Sequence, residues 1–297
     1  MKLVTYEAGG RKSLGVMSRD GQWIYPLKAA GMDYTDMMEI IKGLGESEKE
    51  LLEHISGMDP YSLEGAARID EVKILSPIER PEQDIICLGL NYLEHAKESA
   101  RYKEEDFGGK REQPVYFSKR VNETVGPDEP IPSHSDLVDS LDYEAELAVI
   151  IGKDAKNVKK EEVKNYIFGY TIVNDVSARN VQNAHKQWYF GKSLDGFTPL
   201  GPCILTVESV DYPPKLAIQS KVNGELRQNS NTDQMIFDID FIVSQLSQGM
   251  TLKAGTIIST GTPAGAGMGF IPPRFLKSGD EVECIIEEIG ILRNRVE

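Results

Sequence analysis

Two carboxylates interrupt an apolar run that is typical of a buried β-strand. Glu144 and Glu146 lie within residues 141–151. Side chains two residues apart on a strand point to the same face, so two like charges would share one surface. Exposure to water would make this tolerable, and so would a divalent cation that cancels the repulsion and keeps both groups ionised. The pair by itself leaves both interpretations open.

A third carboxylate favours the cation site. Asp175 follows the apolar strand pattern of residues 167–173, and the end of a buried strand fixes the direction of a side chain. Glu144, Glu146 and Asp175, with no histidine or cysteine nearby, make an all-oxygen site that suits Mg²⁺ or Mn²⁺. Zn²⁺ is disfavoured because nitrogen and sulfur ligands are missing, and Ca²⁺ because no second cluster of oxygen donors is evident.

A histidine and a glutamate form a further pair. His95 and Glu98 are three residues apart in a helical pattern that we expect to begin at Asn91, an acceptable N-cap with Glu94 at the third position. A carboxylate this close can orient an imidazole and raise its pKa, which makes it a better base for water. A pair with this spacing is also common as surface decoration, so both interpretations stand.

Composition limits the partners. Lys and Arg total 33 against 47 Asp and Glu, a net charge of −14, and such a field repels nucleic acids and anionic membranes. We expect neither as a partner. Cys87, Cys203 and Cys284 lie far apart in apolar stretches and predict buried free thiols. The first residues lack the apolar region of a signal peptide, so we expect a soluble, cytoplasmic protein.

The elements that must position these residues form a strand-rich pattern. Strands are predicted at 84–90, 114–118, 143–151, 167–174, 201–206, 216–222, 255–260, 281–287 and 289–295, and helices at 91–101, 160–166, 176–186 and 235–248. Short strands outnumber helices and lack the regular alternation of a doubly wound sheet, which favours an α+β fold built on sandwich-like sheets.

A small N-terminal α/β domain is predicted at residues 1–75, ahead of a catalytic domain at 76–297. The first 27 residues have the pattern of a strand meander, and helical patterns follow at 34–43 and 46–57. Residues 101–113 are charged with a glycine pair at the centre, which predicts a mobile surface loop.

Five ordered segments between residues 75 and 297 resemble the fumarylacetoacetate hydrolase family. They are GLNYLEHAKE (89–98), LDYEAELAVIIGK (141–153), GYTIVNDVSARNVQ (169–182), FGKSLDGFTPLGP (190–202) and STGTPAGAGMG (259–269). The resemblance implies a mixed β-sandwich roll and a Mg²⁺ or Mn²⁺ ion held by Glu144, Glu146 and Asp175. It also implies chemistry next to the carbonyl of a 2-oxo or 1,3-dicarbonyl acid.

The same resemblance implies roles for other residues. His95 and Glu98 match a water-activating dyad, Lys192 matches a lysine that contacts the substrate oxyanion, and Gln182 and Thr262 match substrate contacts. Without the resemblance, Lys192 would be interpreted as an exposed turn lysine.

Arg179 and the segment 117–120 receive no assigned role. Arg179 could equally be a structural salt-bridge partner, and the segment 117–120 departs from the family pattern at Arg120, so neither is given a role.

Members of the family are typically dimers, and apolar strand edges give the chain reason to bury them, so a homodimer is expected.

The implied reaction passes through an enolate. A 2-oxo acid can chelate one cation through its carboxylate and keto oxygens, and the cation stabilises the enolate. The favoured interpretation is hydrolysis of a C–C bond in an acylpyruvate or fumarylpyruvate-like 1,3-diketo acid. The alternatives are an oxaloacetate-type decarboxylase, a 2-hydroxyhepta-2,4-diene-1,7-dioate-type isomerase, and a catalytically silent binding protein.

Overall fold

The structure is a computed structural model that describes residues 1–105, 108–109 and 112–297. Its strands are β1 Lys2–Ala8, β2 Arg11–Met17, β3 Trp23–Pro26, β4 Ala67–Arg68, β5 Lys73–Leu75, β6 Ile85–Gly89, β7 Val115–Lys119, β8 Pro130–Ile131, β9 Leu141–Asp142, β10 Ala145–Ile151, β11 Ile167–Asn174, β12 Ser177–Ala178, β13 Leu200–Thr206, β14 Ala217–Val222, β15 Glu225–Asn231, β16 Ile257–Ser259, β17 Glu281–Ile286 and β18 Gly290–Val296.

The α-helices are fewer and mostly short. They are α1 Met37–Gly43, α2 Glu46–Ile55, α3 Leu93–Tyr102, α4 Arg179–Ala184, α5 Tyr189–Lys192 and α6 Ile239–Gly249. Short 3₁₀ helices span Leu27–Ala30, Pro60–Ser62, Ile69–Glu71, Lys160–Tyr166, Val207–Ser209, Thr232–Gln234 and Gly267–Gly269. Asp36 is the N-cap of α1 and Asp238 is the N-cap of α6. The side chain of each accepts a hydrogen bond from a backbone N–H in the first turn of its helix.

Two sheets carry the fold. An 11-stranded sheet has the order β4-β3-β2-β1-β13-β11-β10-β16-β6-β7, with β5 also paired to β1. A five-stranded sheet has the order β15-β14-β17-β18-β8, and β9 pairs separately with β12. The central strands β10 and β11 contact β14 and β17 of the smaller sheet. The arrangement confirms the predicted α+β class.

Strand β10 is buried on both faces, which explains its continuous apolar sequence. Leu147 and Val149 belong to the hydrophobic core between the two sheets. Ala148 and Ile150 point the other way, into a second core that includes residues of α1 and α2. A strand with an apolar layer on each side has a fixed register, so the residues at its start have fixed directions as well.

The large sheet and its second core both include the N-terminal segment. Leu3 of β1 pairs with Ile204 of β13, and both residues lie in that second core. Backbone pairing therefore crosses the boundary near residue 75, and the division into two domains stays a prediction.

The structure also locates elements that the sequence pattern did not predict. Strand β15 has the polar sequence ELRQNSN and lies at the edge of the smaller sheet, where one side faces water. Within the predicted loop 101–113, residues 106–107 and 110–111 lie outside the described residues, and residues 101–102 are the last of α3. Across the described ranges, no helix is long and apolar enough to cross a membrane.

Candidate functional site

The three carboxylates predicted as metal ligands meet at one point. Glu146 lies in β10, Glu144 just before it, and Asp175 directly after β11. These strands are antiparallel neighbours, with Ala145 opposite Asn174, so the start of one lies beside the end of the other. All three carboxylates are buried, and one oxygen of each lies within 4.8 Å of the others. The spacing is that of a set of ligands around one ion.

Two buried ammonium groups lie against these carboxylates. Lys192 donates to Asp175 Oδ2 at 2.6 Å and to Glu144 Oε2. Lys119, at the end of β7, donates to Asp175 Oδ1 at 2.7 Å. Burial lowers the pKa of Lys119, although the charge of Asp175 opposes that effect. Lys192 is therefore no exposed turn lysine, and Lys119 is a site residue to which the sequence assigned no role.

Arg179 joins the site to the structure around it. Its Nε donates to Asp142 Oδ2 at 2.9 Å, its Nη1 donates to Gln182 Oε1 at 3.0 Å, and its Nη2 donates to Glu144. Burial alone would lower the pKa of Arg179, but Glu144 and Asp142 outweigh it and raise that pKa. The salt-bridge interpretation of Arg179 is confirmed, and its partner is one of the candidate ligands.

The two glutamates have opposite pKa shifts. Burial alone would raise the pKa of Glu144, but the charges of Arg179 and Lys192 outweigh it and hold that pKa well below its usual range. Burial, together with the nearby Asp175 and Glu144, raises the pKa of Glu146 to about 8. Of the two glutamates, Glu146 is therefore the one whose ionisation is disfavoured in the site without an ion.

These residues fit a hard divalent cation such as Mg²⁺ or Mn²⁺. The donors are three carboxylates, and an added positive charge would offset the burial and the repulsion that together raise the pKa of Glu146. Glu146 Oε2 accepts from Ser259 Oγ at 2.6 Å and from Gly261 N at 2.9 Å. Its Oε1 has no hydrogen bond to the part of the chain that is described, which leaves a carboxylate oxygen available to an ion.

His95 lies beside the cluster, on helix α3. Its Nε2 is 3.8 Å from Glu144 Oε1, and its Nδ1 is 3.8 Å from Glu98 Oε2. Both separations exceed a hydrogen bond, and the buried Nδ1 has no partner within the described ranges. Glu98 accepts instead from Gly265 N at 3.0 Å. His95 and Glu98 are therefore neighbours, as predicted, but they are not hydrogen-bonded to each other in this conformation.

The predicted start of helix α3 is wrong by two residues. The helix begins at Leu93, and Tyr92 occupies the N-cap position without a side-chain hydrogen bond. Asn91 is buried and uses its amide elsewhere, donating to the carbonyls of Phe237 and Thr260 and accepting from Phe237 N. Three backbone partners satisfy the amide better than one capping bond would.

A glycine-rich loop, residues 260–269, supplies backbone donors to carboxylates from three different elements. Gly261 N donates to Glu146, Gly265 N to Glu98, and Gly267 N and Met268 N to Asp142. The hydroxyl of Thr262 donates to Ala145 O at 2.9 Å and accepts from Gln228 Nε2 at 2.7 Å. This loop, called the donor loop below, thereby fixes the carboxylates relative to one another.

The site opens into a narrow cavity. Its inner end is formed by Glu144, Glu146 and Lys192, with His95 beside them. Gln182 and Thr262 also line the cavity, so four of the five predicted catalytic and substrate-binding residues border one space with Glu144 and Glu146, whereas Glu98 is not part of its lining. A small molecule in that space would be in reach of carboxylates, ammonium groups and an imidazole at once.

The two packed sheets and a buried Glu-Glu-Asp cluster that could hold a divalent cation at the end of a cavity define the class of protein. The family model described as "Fumarylacetoacetate (FAA) hydrolase C-terminal" matches residues 84–297. The chain belongs to the fumarylacetoacetate hydrolase family, as the sequence motifs predicted.

Relatives with enzyme names cover most of the chain. Oxaloacetate tautomerase YisK from Bacillus subtilis is 45% identical over 228 residues, which is 77% of this chain and 74% of the relative. Mitochondrial oxaloacetate tautomerase fahd2 from Xenopus laevis is 37% identical over 302 residues, covering 100% of this chain and 90% of the relative.

Solved structures of the family have the same fold. A structure titled fumarylacetoacetate hydrolase, from Exiguobacterium antarcticum, superposes with a TM-score of 0.83 at 39% identity, covering 100% of this chain and 99% of that one. A 5-carboxymethyl-2-hydroxymuconate delta-isomerase from Mycobacterium smegmatis superposes with a TM-score of 0.75 at 29% identity, with the same coverage.

Proposed function

We propose that this protein is a divalent-cation-dependent keto–enol tautomerase of 2-oxo acids such as oxaloacetate. The observation that carries the proposal is the buried cluster of Glu144, Glu146 and Asp175, with Lys192 and His95 at the inner end of one cavity. Two relatives that match most of the chain have this activity in their names.

The reaction requires only movement of a proton. The enol loses the proton of its hydroxyl group, the adjacent carbon gains one, and neither water nor a C–C bond is consumed. A divalent cation, when held by the three carboxylates, would supply Lewis-acid stabilisation of the enolate. The protein must add charge stabilisation at the oxygen, a group that carries the proton, and protection from bulk water.

This chain has a side chain for each of these tasks. Lys192 Nζ, buried and fixed by Glu144 and Asp175, places a positive charge where negative charge develops on the enolate oxygen. His95 borders the cavity, and its imidazole can accept a proton from the enol oxygen and return it to carbon. Burial of these groups strengthens their electrostatic effect because little water screens them.

Hydrolysis of an acylpyruvate is the second candidate, and the proximity of His95 to Glu98 favours it. A water-activating dyad needs a hydrogen bond between the two residues. Their nearest atoms are 3.8 Å apart, while Gly265 N donates to the Glu98 carboxylate. Hydrolysis would therefore require Glu98 to leave the donor loop, whereas tautomerisation can use His95 as it is placed.

One experiment compares the candidate reactions. The enol form of oxaloacetate is mixed with the protein, and its ultraviolet absorbance is followed with Mg²⁺ or with EDTA. Release of pyruvate from oxaloacetate and cleavage of acetylpyruvate are measured in parallel. We expect Mg²⁺-dependent loss of the enol without matching pyruvate release and with little cleavage of acetylpyruvate.

The variants make the assignment specific. Glu146→Gln should abolish acceleration, while Glu283→Gln, a change in β17 outside the cavity lining, should leave it unchanged. No acceleration by the wild type, or acceleration that persists in Glu146→Gln, would contradict the proposal. Pyruvate release in step with enol loss would indicate a decarboxylase instead.

We also propose a homodimer. Edge strands such as β15 and β7 remain unpaired on one side among the described residues, and a second copy could cover such an edge. Light scattering at micromolar concentration should give twice the chain mass of 33.0 kDa. A monomer mass would contradict this proposal without affecting the assignment of the reaction.

A further inference from the structure

One aromatic side chain of the cavity wall comes from an otherwise exposed segment. Residues 183–190 are exposed except for Trp188, which is half-buried and lines the cavity. Trp188 is the N-cap residue of α5, and its carbonyl accepts from Lys192 N at 3.1 Å. Residues four apart on a helix lie on the same face. One helical turn therefore places both the indole of Trp188 and the ammonium of Lys192 on the same space.

The indole rests on a position that only glycine leaves open. A Cβ on Gly89 would lie 1.9 Å from Trp188 Cζ3 and 2.5 Å from Cη2, so the six-membered ring lies directly over the backbone there. Phe117 packs edge-on against the indole, with ring centres 5.3 Å apart. Phe117 of β7 pairs with Cys87 of β6, two residues before Gly89, and such residues share one face of the sheet. Gly89 and Phe117 together form a seat for the indole.

This seat is close to the inner end of the cavity. Lys192 Nζ lies 5.4 Å from the centre of the Phe117 ring, and Phe117 in turn contacts Trp188. The distance from Lys192 Nζ to the centre of the indole is therefore no greater than these two separations combined. Glu144 and Glu146 border the same space. A molecule held beside Lys192 has room for only a short chain before it meets the indole.

A purely structural role for Trp188 would be to anchor the turn between α4 and α5. Tyr189 and Phe190 are aromatic as well, but they are 43% and 42% exposed. Neither belongs to the cavity lining that the described part of the chain forms. Trp188 differs from both neighbours because it has a fitted seat and also a surface on the cavity. The comparison with these neighbours supplies a matched control for the experiment below.

We propose that Trp188 sets the length of the acid that the cavity accepts, because its indole closes the space beyond Phe117. This inference rests on the proposed function, which places the 2-oxo acid group at the inner end beside Lys192. An acid with a short chain fits between the carboxylate cluster and the indole, whereas a longer chain must displace the ring from its seat on Gly89. The carboxylate cluster selects the reacting group, and Trp188 selects the size of what is attached to it.

Two unreactive acids test the length limit directly. N-methyloxamate and N-hexyloxamate have the carboxylate and the neighbouring carbonyl oxygen of a 2-oxo acid, but a nitrogen replaces the carbon that would form the enol. They differ only in the length of an uncharged alkyl chain. Their dissociation constants are measured by calorimetry in the presence of Mg²⁺. We expect the wild type to bind N-hexyloxamate roughly tenfold more weakly than N-methyloxamate, because a filled space opposes added volume.

The variants locate the source of the limit. Trp188→Ala should bind N-hexyloxamate at least as tightly as N-methyloxamate, because the chain then enters the space left by the indole and buries apolar surface there. Trp188→Phe should restore part of the wild-type preference. Tyr189→Ala is the matched control, because it removes an exposed aromatic ring from the adjacent position of the same turn. The control should keep the wild-type preference.

The outcomes separate this inference from the proposed reaction. Equal affinity of the wild type for both oxamates, no binding of either, or a preference that persists in Trp188→Ala overturns the role of Trp188. Weakening of both oxamates by the same factor in Trp188→Ala, or loss of the preference in Tyr189→Ala, also overturns it, because either result indicates a structural role of the turn. Neither oxamate can form the enol, so failure of the activity assay with a Trp188-dependent length limit would reject only the tautomerase assignment.

Discussion

Replacing Glu146 by glutamine should stabilise the protein in the absence of divalent cations while it removes their binding. Glu146 is buried beside Glu144 and Asp175, and these surroundings raise its pKa to about 8. Glutamine has nearly the same shape, and its amide oxygen can still accept from Gly261 N and from the Ser259 hydroxyl. The change removes the cost of a buried like charge and keeps the local hydrogen bonds.

The magnitude follows from proton linkage. When folding raises the pKa of a carboxyl group, the folded state loses stability as the pH rises above the ordinary pKa of that group, here 4.5. The loss is complete once the pH exceeds the raised pKa of about 8. At 1.36 kcal/mol per pH unit, the cost in the cation-free protein is on the order of 3 kcal/mol at pH 7 and somewhat larger at pH 9. The advantage of Glu146→Gln should therefore grow between pH 5 and pH 8.

Urea unfolding in EDTA, at several values of pH, measures this difference. With excess Mg²⁺ the order should reverse, because the ion stabilises only a protein that binds it. Calorimetry should then show a large loss of Mg²⁺ affinity in Glu146→Gln and none in the control Glu283→Gln. A Glu146→Gln protein that is less stable than the wild type in EDTA at pH 8 would refute the electrostatic reasoning.

Three further variants examine other parts of the site. Lys119→Met should lower the free energy of unfolding in EDTA by about 3–5 kcal/mol, as loss of one partner of a buried pair does, and Mg²⁺ should restore more stability to it than to the wild type. An equal Mg²⁺ effect on both proteins would contradict this. Asp142→Asn should cost about 2–4 kcal/mol in unfolding experiments, because it leaves buried donors of Arg179 and the donor loop without acceptors, and Mg²⁺ affinity should fall with it. Unchanged Mg²⁺ affinity would show that Asp142 does not position Glu144. His95→Ala should lower kcat by about 10²–10⁴-fold with little effect on Mg²⁺ affinity, and activity within twofold of wild type would exclude His95 as the proton carrier.

The carboxylate cluster could be predicted from sequence because its geometry is local. Two residues in Glu144-Ala145-Glu146 share a face of an extended chain, and Asp175 follows directly on a buried strand. Only the pairing of β10 with β11 had to be supplied by the fold. The resemblance to the family assigned the three carboxylates to one site without that pairing.

Lys119 and Asp142 could not be predicted, because their roles depend on distant parts of the chain. Lys119 is a site residue only because β7 lies beside β6 and reaches Asp175, 56 residues away in sequence. Asp142 matters because residues 267–268, more than 120 positions later, donate to it. Strand β15 was missed for a related reason, since a polar edge strand has little hydrophobic periodicity to detect.

The donor loop has a consequence for how the family can diverge. Every residue except proline has an amide N–H, so the bonds from positions 261, 265, 267 and 268 do not depend on the chemistry of a side chain. What the loop cannot accept is added volume: a Cβ at Gly265 would lie 2.1 Å from Arg227 O, and one at Gly267 would lie 2.6 Å from Arg274 O. Selection on the donor loop should therefore preserve its backbone conformation more than the chemistry of its side chains. Distant members could then drift widely in specificity while the carboxylates around the ion keep the same orientation.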